Sequence, residues 1–361
     1  MAPPCGAGRR YHGTAVEQTR LAPLEPPATD DRLIWDIWLS RWQLPATTVA
    51  DEIGVFGLLE GGPLSSKEVA ARLDLGWRGA EALLAVLASL GLLAQRGGRF
   101  GLTDSARPFL LRTSDYYWGA MLGRRADEGL ARDLLVALRR DAHPEMERDT
   151  RQVVAWAAGE IDDERARSTT AAMHAHSFPA AVGAARNGDF TGVTRLLDVA
   201  GGSGCFPIAL AQRHPTLRGT VMELAPVCRV AEEYIARYGV ADQVDTLAAN
   251  MFADDWPMGY DACFFSNIFH DWDMDRCRLL ARKAFGALPS GGRIYLHEIL
   301  LVDTKDGPLP AALFSLTMLA GNYGKQFSLG ELGELLTSCG FVDVRATQTY
   351  AYYSLVSARK P

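Results

Sequence analysis

Apolar positions recur at two different spacings along the chain, and one gives way to the other near residue 190. Ahead of that point Ile34, Trp38 and Trp42, then Val49, Ile53 and Phe56, repeat every three or four residues, which predicts helices between about 33 and 59. In "GPLSSKEVAARLDLGWRGAEALLAVLASLGLLAQRGGRFGLT" the pattern predicts a short helix over 67–73, capped by Ser65 or Ser66. A second helix runs through Leu83, Leu84, Val86, Leu87 and Leu90. "QRGGRFGLT" then reads as a tight hairpin with glycines at its turn. Helix, turn, helix and small β-wing make a winged-helix pattern over 31–114, and 115–190 continues in amphipathic helical runs.

After "GDFTGV" the period changes. "TRLLDVAGGSG", "RGTVMEL", "VDTLAANMF", "YDACFFSNIFHDW" and "GGRIYLHEILLV" read as strands, and helical segments of ten or so residues separate most of them. Such alternation predicts βαβ units and a parallel sheet covered on both faces, an α/β domain over 191–361. Residues 1–30, rich in proline, glycine and charge, read as a mobile tail.

A winged helix raises the possibility of DNA binding. The second helix offers only Arg78 and Glu81 among alanines and leucines, however, and the net charge is −6, so a face against protein is the better expectation. Six cysteines stand singly with no CxxC pair, which suits reduced thiols in a cytoplasmic protein. The N-terminus has no apolar h-region and no run is long enough to span a bilayer, so neither secretion nor a membrane is expected.

The chemistry gathers at the strand ends. Asp198 closes the first strand before Gly201, Gly202 and Gly204, a turn that lets a ligand approach the backbone at the sheet's carboxyl edge. Dinucleotide enzymes use similar turns, but Pro207 stands where their third glycine would fall. Glu223 ends the second strand, where a carboxylate can accept from both hydroxyls of a ribose. Asn250, Met251 and Phe252 end the third and could hold and stack an adenine. His270 in "FFSNIFHDWD" follows the fourth strand and faces the ligand crevice, as a general base, a metal ligand or a packed histidine.

With those motifs in that order, the sequence resembles the S-adenosylmethionine-dependent small-molecule methyltransferases that include plant caffeic-acid-type and actinobacterial O-methyltransferases. The matching stretches are "LLDVAGGSG", "VMELAPV", "AANMF", "SNIFHDWD", "ALPSGGRIYLHEILL" and "GKQFSLGELGELLTSCGF". The resemblance implies a Rossmann-like class I methyltransferase domain behind a winged-helix dimerisation domain. It also implies S-adenosylmethionine as cofactor, S-adenosylhomocysteine as product, and a homodimer into whose interface Trp35, Trp38 and Trp42 pack. Gly201, Gly202 and Gly204 would line the methionine part, Glu223 the ribose, Asn250, Met251 and Phe252 the adenine, and Ser266 and Asn267 the sulfonium end. His270 would be the base and Glu298, at the end of the fifth strand, its orienting partner. Trp118, Met173, His176, Phe178, Met318 and Asn322 are candidate walls for a small-molecule acceptor. Asn250 replaces the family's usual aspartate.

Further expectations concern neighbours of these residues. Asp271 reads as the cap of the following helix and Trp272 as core. Gln326 stands where the family often has an acid, so the His270–Glu298 pair would act without it. His297 beside Glu298 leaves open a His270/His297/Glu298 metal set for C-methylation of a 2-oxo acid, should the strand end or bulge there. A winged-helix ligand sensor with a degenerate cofactor domain is the alternative from another class.

Overall fold

The computed structural model describes residues 23–123, 129–141 and 151–361; most of the expected mobile tail lies outside them. The N-terminal part opens with helices α1 (Arg32–Ser40), α2 (Gln43–Glu52), α3 (Val55–Glu60), α4 (Ser66–Leu73) and α5 (Trp77–Ser89). Ser65 caps α4 in a reciprocal capping box with Glu68. Strands β1 (Leu93–Arg96) and β2 (Arg99–Leu102) form the wing. Gly97 and Gly98 turn it at φ +57° and +76°, the conformation a two-residue hairpin loop needs. Short helices α6 (Arg107–Leu110) and α7 (Gly119–Leu122) lead to α8 (Gly129–Arg139), α9 (Arg151–Ala158) and the 25-residue α10 (Asp163–Asn187).

The C-terminal part alternates β3 (Arg195–Val199), α11 (Cys205–Arg213), β4 (Arg218–Glu223), α12 (Ala225–Arg237) and β5 (Val244–Ala248). It continues with β6 (Ala262–Ser266), α13 (Met274–Ala287) and β7 (Arg293–Ile299). Helices α14 (Leu309–Gly321) and α15 (Leu329–Ser338) precede a closing pair, β8 (Val342–Tyr350) and β9 (Tyr353–Arg359). The sheet order is β5-β4-β3-β6-β7-β9-β8, parallel through β7, with β9 antiparallel to β7 and β8 antiparallel to β9. This is a Rossmann-like, doubly wound sheet. Strand order reverses between β3 and β6, which opens a crevice at their carboxyl ends.

Alternation along the central strands fixes which side chain meets which layer. Leu196, Phe264 and Tyr295 pack with α10 and α11, whereas Leu197, Phe265 and Leu296 pack with α13 and α15. The two halves meet along α14, whose residues Ala311–Leu316 are all buried and which packs on α1, α5 and α8. Trp42 is 2% exposed and donates from Nε1 to Thr317 Oγ1 at 2.9 Å; Trp35 is buried against Phe314 and Tyr353. Both therefore pack inside their own chain, contrary to the expectation that they fill a dimer interface. Their exposed neighbours Leu33, Ile34 and Ile37 carry the outer apolar face.

Among the described residues no helix is long and apolar enough to cross a membrane. The charges of α5 are spent inside the protein: Arg78 is buried on backbone carbonyls of residues 322 and 324, and Glu81 pairs with Lys325. No basic recognition face is left on that helix for nucleic acid.

Candidate active site

The crevice begins where β3 ends. Ala200, Gly202 and Gly204 all have positive φ, so the chain reverses within a few residues and enters α11. Gly201 has no alternative, because a Cβ there would lie 2.2 Å from Asp198 Oδ2. Asp198 is fully buried, and neither of its carboxylate oxygens has a hydrogen-bond partner. Burial, and then the charge of Glu223, push its pKa well up. Glu223, at the end of β4, accepts the Leu224 N–H at 2.7 Å, and burial raises it to about 7. Among the described residues no cationic side chain offsets Asp198, so the site complements a ligand that brings its own positive charge and hydroxyls. That description fits S-adenosylmethionine, a sulfonium carrying an ammonium and a ribose.

Beside Glu223 a cleft is lined by Ala200, Met222, Asn250, Met251, Phe252 and Trp156. Trp156 reaches it from α9 and has no counterpart among the expected residues. Asn250 is occupied. Its Oδ1 accepts from Phe252 and Ala253, and its Nδ2 donates to Ala157 O at 2.7 Å. It thus shapes the turn and tethers α9, and both ends of its amide are already in use. Ser266 Oγ lies 3.3 Å from His297 Nδ1. Asn267, at φ +56°, donates to the Tyr353 hydroxyl at 3.1 Å and keeps a buried, unpartnered Oδ1 beneath the crevice.

Strand β6 stops at Ser266, and His270 sits beyond it in a single 3₁₀ turn, Phe269–Asp271. Its Nδ1 lies 2.9 Å from Glu298 Oε2, and the Gln326 side-chain amide is 3.1 Å from the same nitrogen. A carboxylate at this distance favours the proton on Nδ1, which leaves Nε2 as the basic nitrogen of the neutral ring. Asp271 Oδ1 is 3.6 Å from Nε2 and also accepts from the Asn322 amide. Burial opposes charge on His270, but Glu298 first and Asp271 next outweigh it and lift the imidazole to about 9. Burial lifts Asp271 to about 6, moderated by His270.

One expectation changes here. The helix cap is Asp273, whose carboxylate accepts the Arg276 N–H at 2.9 Å, so Asp271 is free to face His270. Gln326 is buried against His270 and belongs to the pair's surroundings, although it is neutral. Trp272 is core, as expected.

His297 does not join them. By strand alternation it lies on the α11 side, near Phe206, stacked parallel to Tyr353 at 4.8 Å. Its Nε2 is 2.9 Å from Thr349 Oγ1, and burial pushes its pKa down to about 3. Strand β7 runs regularly through both residues, so His297 and Glu298 keep opposite faces and do not assemble the three-residue metal set. Among the described residues no group of three histidine, cysteine or acidic side chains could hold a metal.

Toward the middle helices His270 meets Phe314 edge-on at 5.2 Å. Trp35 touches both Phe314 (5.5 Å) and His176 (5.6 Å). His176 is pushed down to about 4 by burial and then by the charge of His270. Met318 Sδ lies 3.3 Å from the Asn322 amide. Of the expected wall residues, His176, Met318 and Asn322 come together here, and Met173 approaches His176 at 3.4 Å from a half-exposed position. Trp118 does not: it is 56% exposed in the N-terminal half. Phe178 turns the other way and packs on His174 and Tyr238. At this end of the crevice the side chains sequence reasoning missed are Trp35, Phe314 and Asp271. A helical apolar run hides the first two, and a plausible cap role hid the third.

Comparison with known proteins bears on the family and the fold. Family models match residues 45–112 as an O-methyltransferase dimerisation domain and 139–342 as an O-methyltransferase domain. The 3-hydroxy-5-methyl-1-naphthoate 3-O-methyltransferase of Streptomyces sahachiroi is 36% identical over 330 residues, 90% of this chain and 93% of that one. An O-methyltransferase family 2 protein from Planctomyces limnophilus, solved with apigenin, superposes at TM-score 0.84 with 29% identity, covering 95% of this chain and 99% of its own. Human N-acetylserotonin methyltransferase, solved with S-adenosylmethionine, gives 0.56 and 25%, covering 93% and 99%.

Proposed function

The chain belongs to the S-adenosylmethionine-dependent O-methyltransferase family, and from that premise we propose that it methylates a phenolic hydroxyl on a flat aromatic natural product. The observation that carries the mechanism is the buried His270–Glu298 pair, 2.9 Å between Nδ1 and Oε2. Bound S-adenosylmethionine supplies the methyl group on a sulfonium. Asp198, Gly201, Gly202 and Gly204 hold its methionine end, Glu223 its ribose, and Met251, Phe252 and Trp156 its adenine. Ser266 and Asn267 border the sulfonium, and Asn250 keeps the adenine turn in shape.

His270 Nε2 removes the acceptor's hydroxyl proton as the oxygen becomes nucleophilic. Glu298 steadies the imidazolium that results. Asp271 lies next to the same nitrogen and favours the charged ring. We assign the packed cluster of Trp35, Phe314, His176 and Met318 beside His270 as the aromatic slot for a planar acceptor, where it would shed water from the reacting oxygen. Both the naphthoate methyltransferase name and the apigenin complex point to phenolic ring systems of this shape.

The chain works as a homodimer, supported by the dimerisation-domain match and by the exposed Leu33, Ile34 and Ile37 of α1. A cytoplasmic setting is supported by its described cysteines, all free and mostly buried. The test is incubation with S-adenosylmethionine and hydroxylated naphthoates and flavones. Product mass and NMR should place a new methyl on oxygen. A methyl on carbon, or no product across the panel together with no S-adenosylmethionine binding, would overturn the reading.

A further inference from the structure

Behind the catalytic turn runs the segment 322–326, which touches it at each step. Asn322 reaches the Asp271 carboxylate, and the Tyr323 N–H donates to Asp271 O at 3.0 Å. Gly324 packs so closely that a Cβ there would lie 2.1 Å from His270 O, and Gln326 lies against His270 Nδ1. The segment is therefore the back wall that sets where His270 and Asp271 stand.

The catalytic half holds part of that wall, through Gln326 N–H on Ser315 Oγ (3.2 Å), Asn322 N–H on Met318 O (2.7 Å) and Glu331 on Lys325. A second grip comes from α5, in the N-terminal domain. Arg78, 6% exposed, donates from Nη1 to Asn322 O (3.1 Å) and Gly324 O (2.7 Å), and from Nε to Asp141 Oδ2 (3.1 Å). One turn on, Glu81 meets Lys325 Nζ at 2.5 Å, which Glu331 shares at the same distance. A buried guanidinium has to be satisfied on several sides, and here its partners are the two carbonyls that bracket Tyr323. Lysine could supply the charge without the fork.

We infer that Arg78 is a positioning residue for the His270–Asp271 turn, so that the dimerisation domain contributes directly to the geometry of catalysis. The inference rests on the reading of His270 as base. If Arg78 is lost, the wall loosens and water reaches the turn. The carboxylate contacts that lift His270 and the burial that opposes them both change, so its titration midpoint moves away from the wild-type value. Small displacements of a base are expensive in rate, so turnover falls about tenfold or more with cofactor affinity held.

The experiment follows His270 by NMR in full-length chain labelled with ¹³C-histidine, its resonance assigned by loss in His270→Ala. Arg78→Met and Arg78→Lys are titrated beside the wild type, with calorimetric binding of S-adenosylmethionine measured on each. The expected result is a midpoint moved by at least about half a unit in Arg78→Met. Arg78→Lys should recover part of it, and cofactor affinity should stay within about twofold in both. A folded Arg78→Met whose His270 midpoint is unmoved overturns the inference. If Arg78→Met does not fold, Glu81→Gln takes its place, with the same midpoint shift expected and the same null result fatal. Turnover of His270→Ala is assayed in parallel: full activity there overturns the base role, a failure distinct from an unmoved midpoint.

Discussion

His270 Nδ1 and Glu298 Oε2 stand 2.9 Å apart with both side chains all but sealed from solvent. A buried carboxylate facing one ring nitrogen leaves the other as the only one that can take a proton from an acceptor. Because His270 is lifted to about 9, the free enzyme holds it protonated at neutral pH, and the basic form grows as pH rises. Turnover per acceptor encounter should therefore climb from pH 7 toward 9. Glu298→Gln removes the largest lifting charge and should move that limb downward in pH while lowering peak turnover by about a hundredfold. The check is a pH profile of kcat/KM for both proteins. The same shift has a stability consequence. A raised histidine stabilises the fold fully below its unfolded value of about 6.5, and that contribution is lost as pH climbs through about 9.

Asp271 supplies the second charge beside the ring, 3.6 Å from Nε2, and is itself held by Asn322. Asp271→Asn keeps the shape and the amide contact but removes the charge. The acid limb should move to lower pH and turnover should fall about tenfold, with S-adenosylmethionine affinity unchanged. A profile that keeps its midpoint would show that Asp271 only supports the turn.

The parallel half of the sheet was legible because buried strands and amphipathic helices alternate there without ambiguity, and the glycine turn marked its ligand edge. The strand pair β8–β9 escaped notice: "VDVRATQTY" is polar and mostly exposed over much of its length, so no apolar run announced it. The aromatic slot was only half legible. Phe314 lies in a helix apolar on every side, and Trp35 in one with apolar residues on two faces, where the sequence cannot say which face meets a ligand. Asp271 was hidden by Asp273, two residues on, since either aspartate could cap α13. His297 was open in the sequence because its orientation depended on whether β7 bulges. Regular pairing with β9 decided it.

Asp198 and Glu223 are carboxylates buried ahead of their ligand, and their raised pKa values mean that the fold prefers them protonated. A raised carboxylate costs stability as pH rises past its unfolded value, for Glu223 between about 4.5 and about 7. The ligand-free protein should therefore melt lower at pH 8 than at pH 6, and S-adenosylmethionine should raise the melting temperature more at pH 8. Asp198→Asn should raise the ligand-free melting temperature and weaken cofactor binding by about tenfold or more. Differential scanning fluorimetry with and without cofactor measures both.

The slot and the discarded candidate wall make a matched pair. Phe314 meets both His270 and Trp35, so Phe314→Ala should raise the acceptor KM about tenfold and leave cofactor affinity alone. Trp118 is exposed in the N-terminal half, and Trp118→Ala should leave acceptor KM within about twofold. Steady-state kinetics on the two variants, with one phenolic acceptor, decides between the slot described here and a wall that includes Trp118.

The outer face of α1 carries Leu33 at 69% exposed, Ile34 at 66% and Ile37 at 62%, three large apolar side chains on one short helix. Their neighbours Trp35 and Leu39 turn inward, so the helix is apolar on both sides and only one side is covered by its own chain. Uncovered apolar surface of this kind marks an interface, and the dimerisation-domain match spans the adjoining residues from 45. Ile34→Asp with Ile37→Asp introduces two charges that folding of a single chain leaves in water but that dimer formation would bury. The expected outcome is a folded monomer by multi-angle light scattering, with far-ultraviolet circular dichroism like that of the wild type. A variant that stays dimeric would move the interface away from α1.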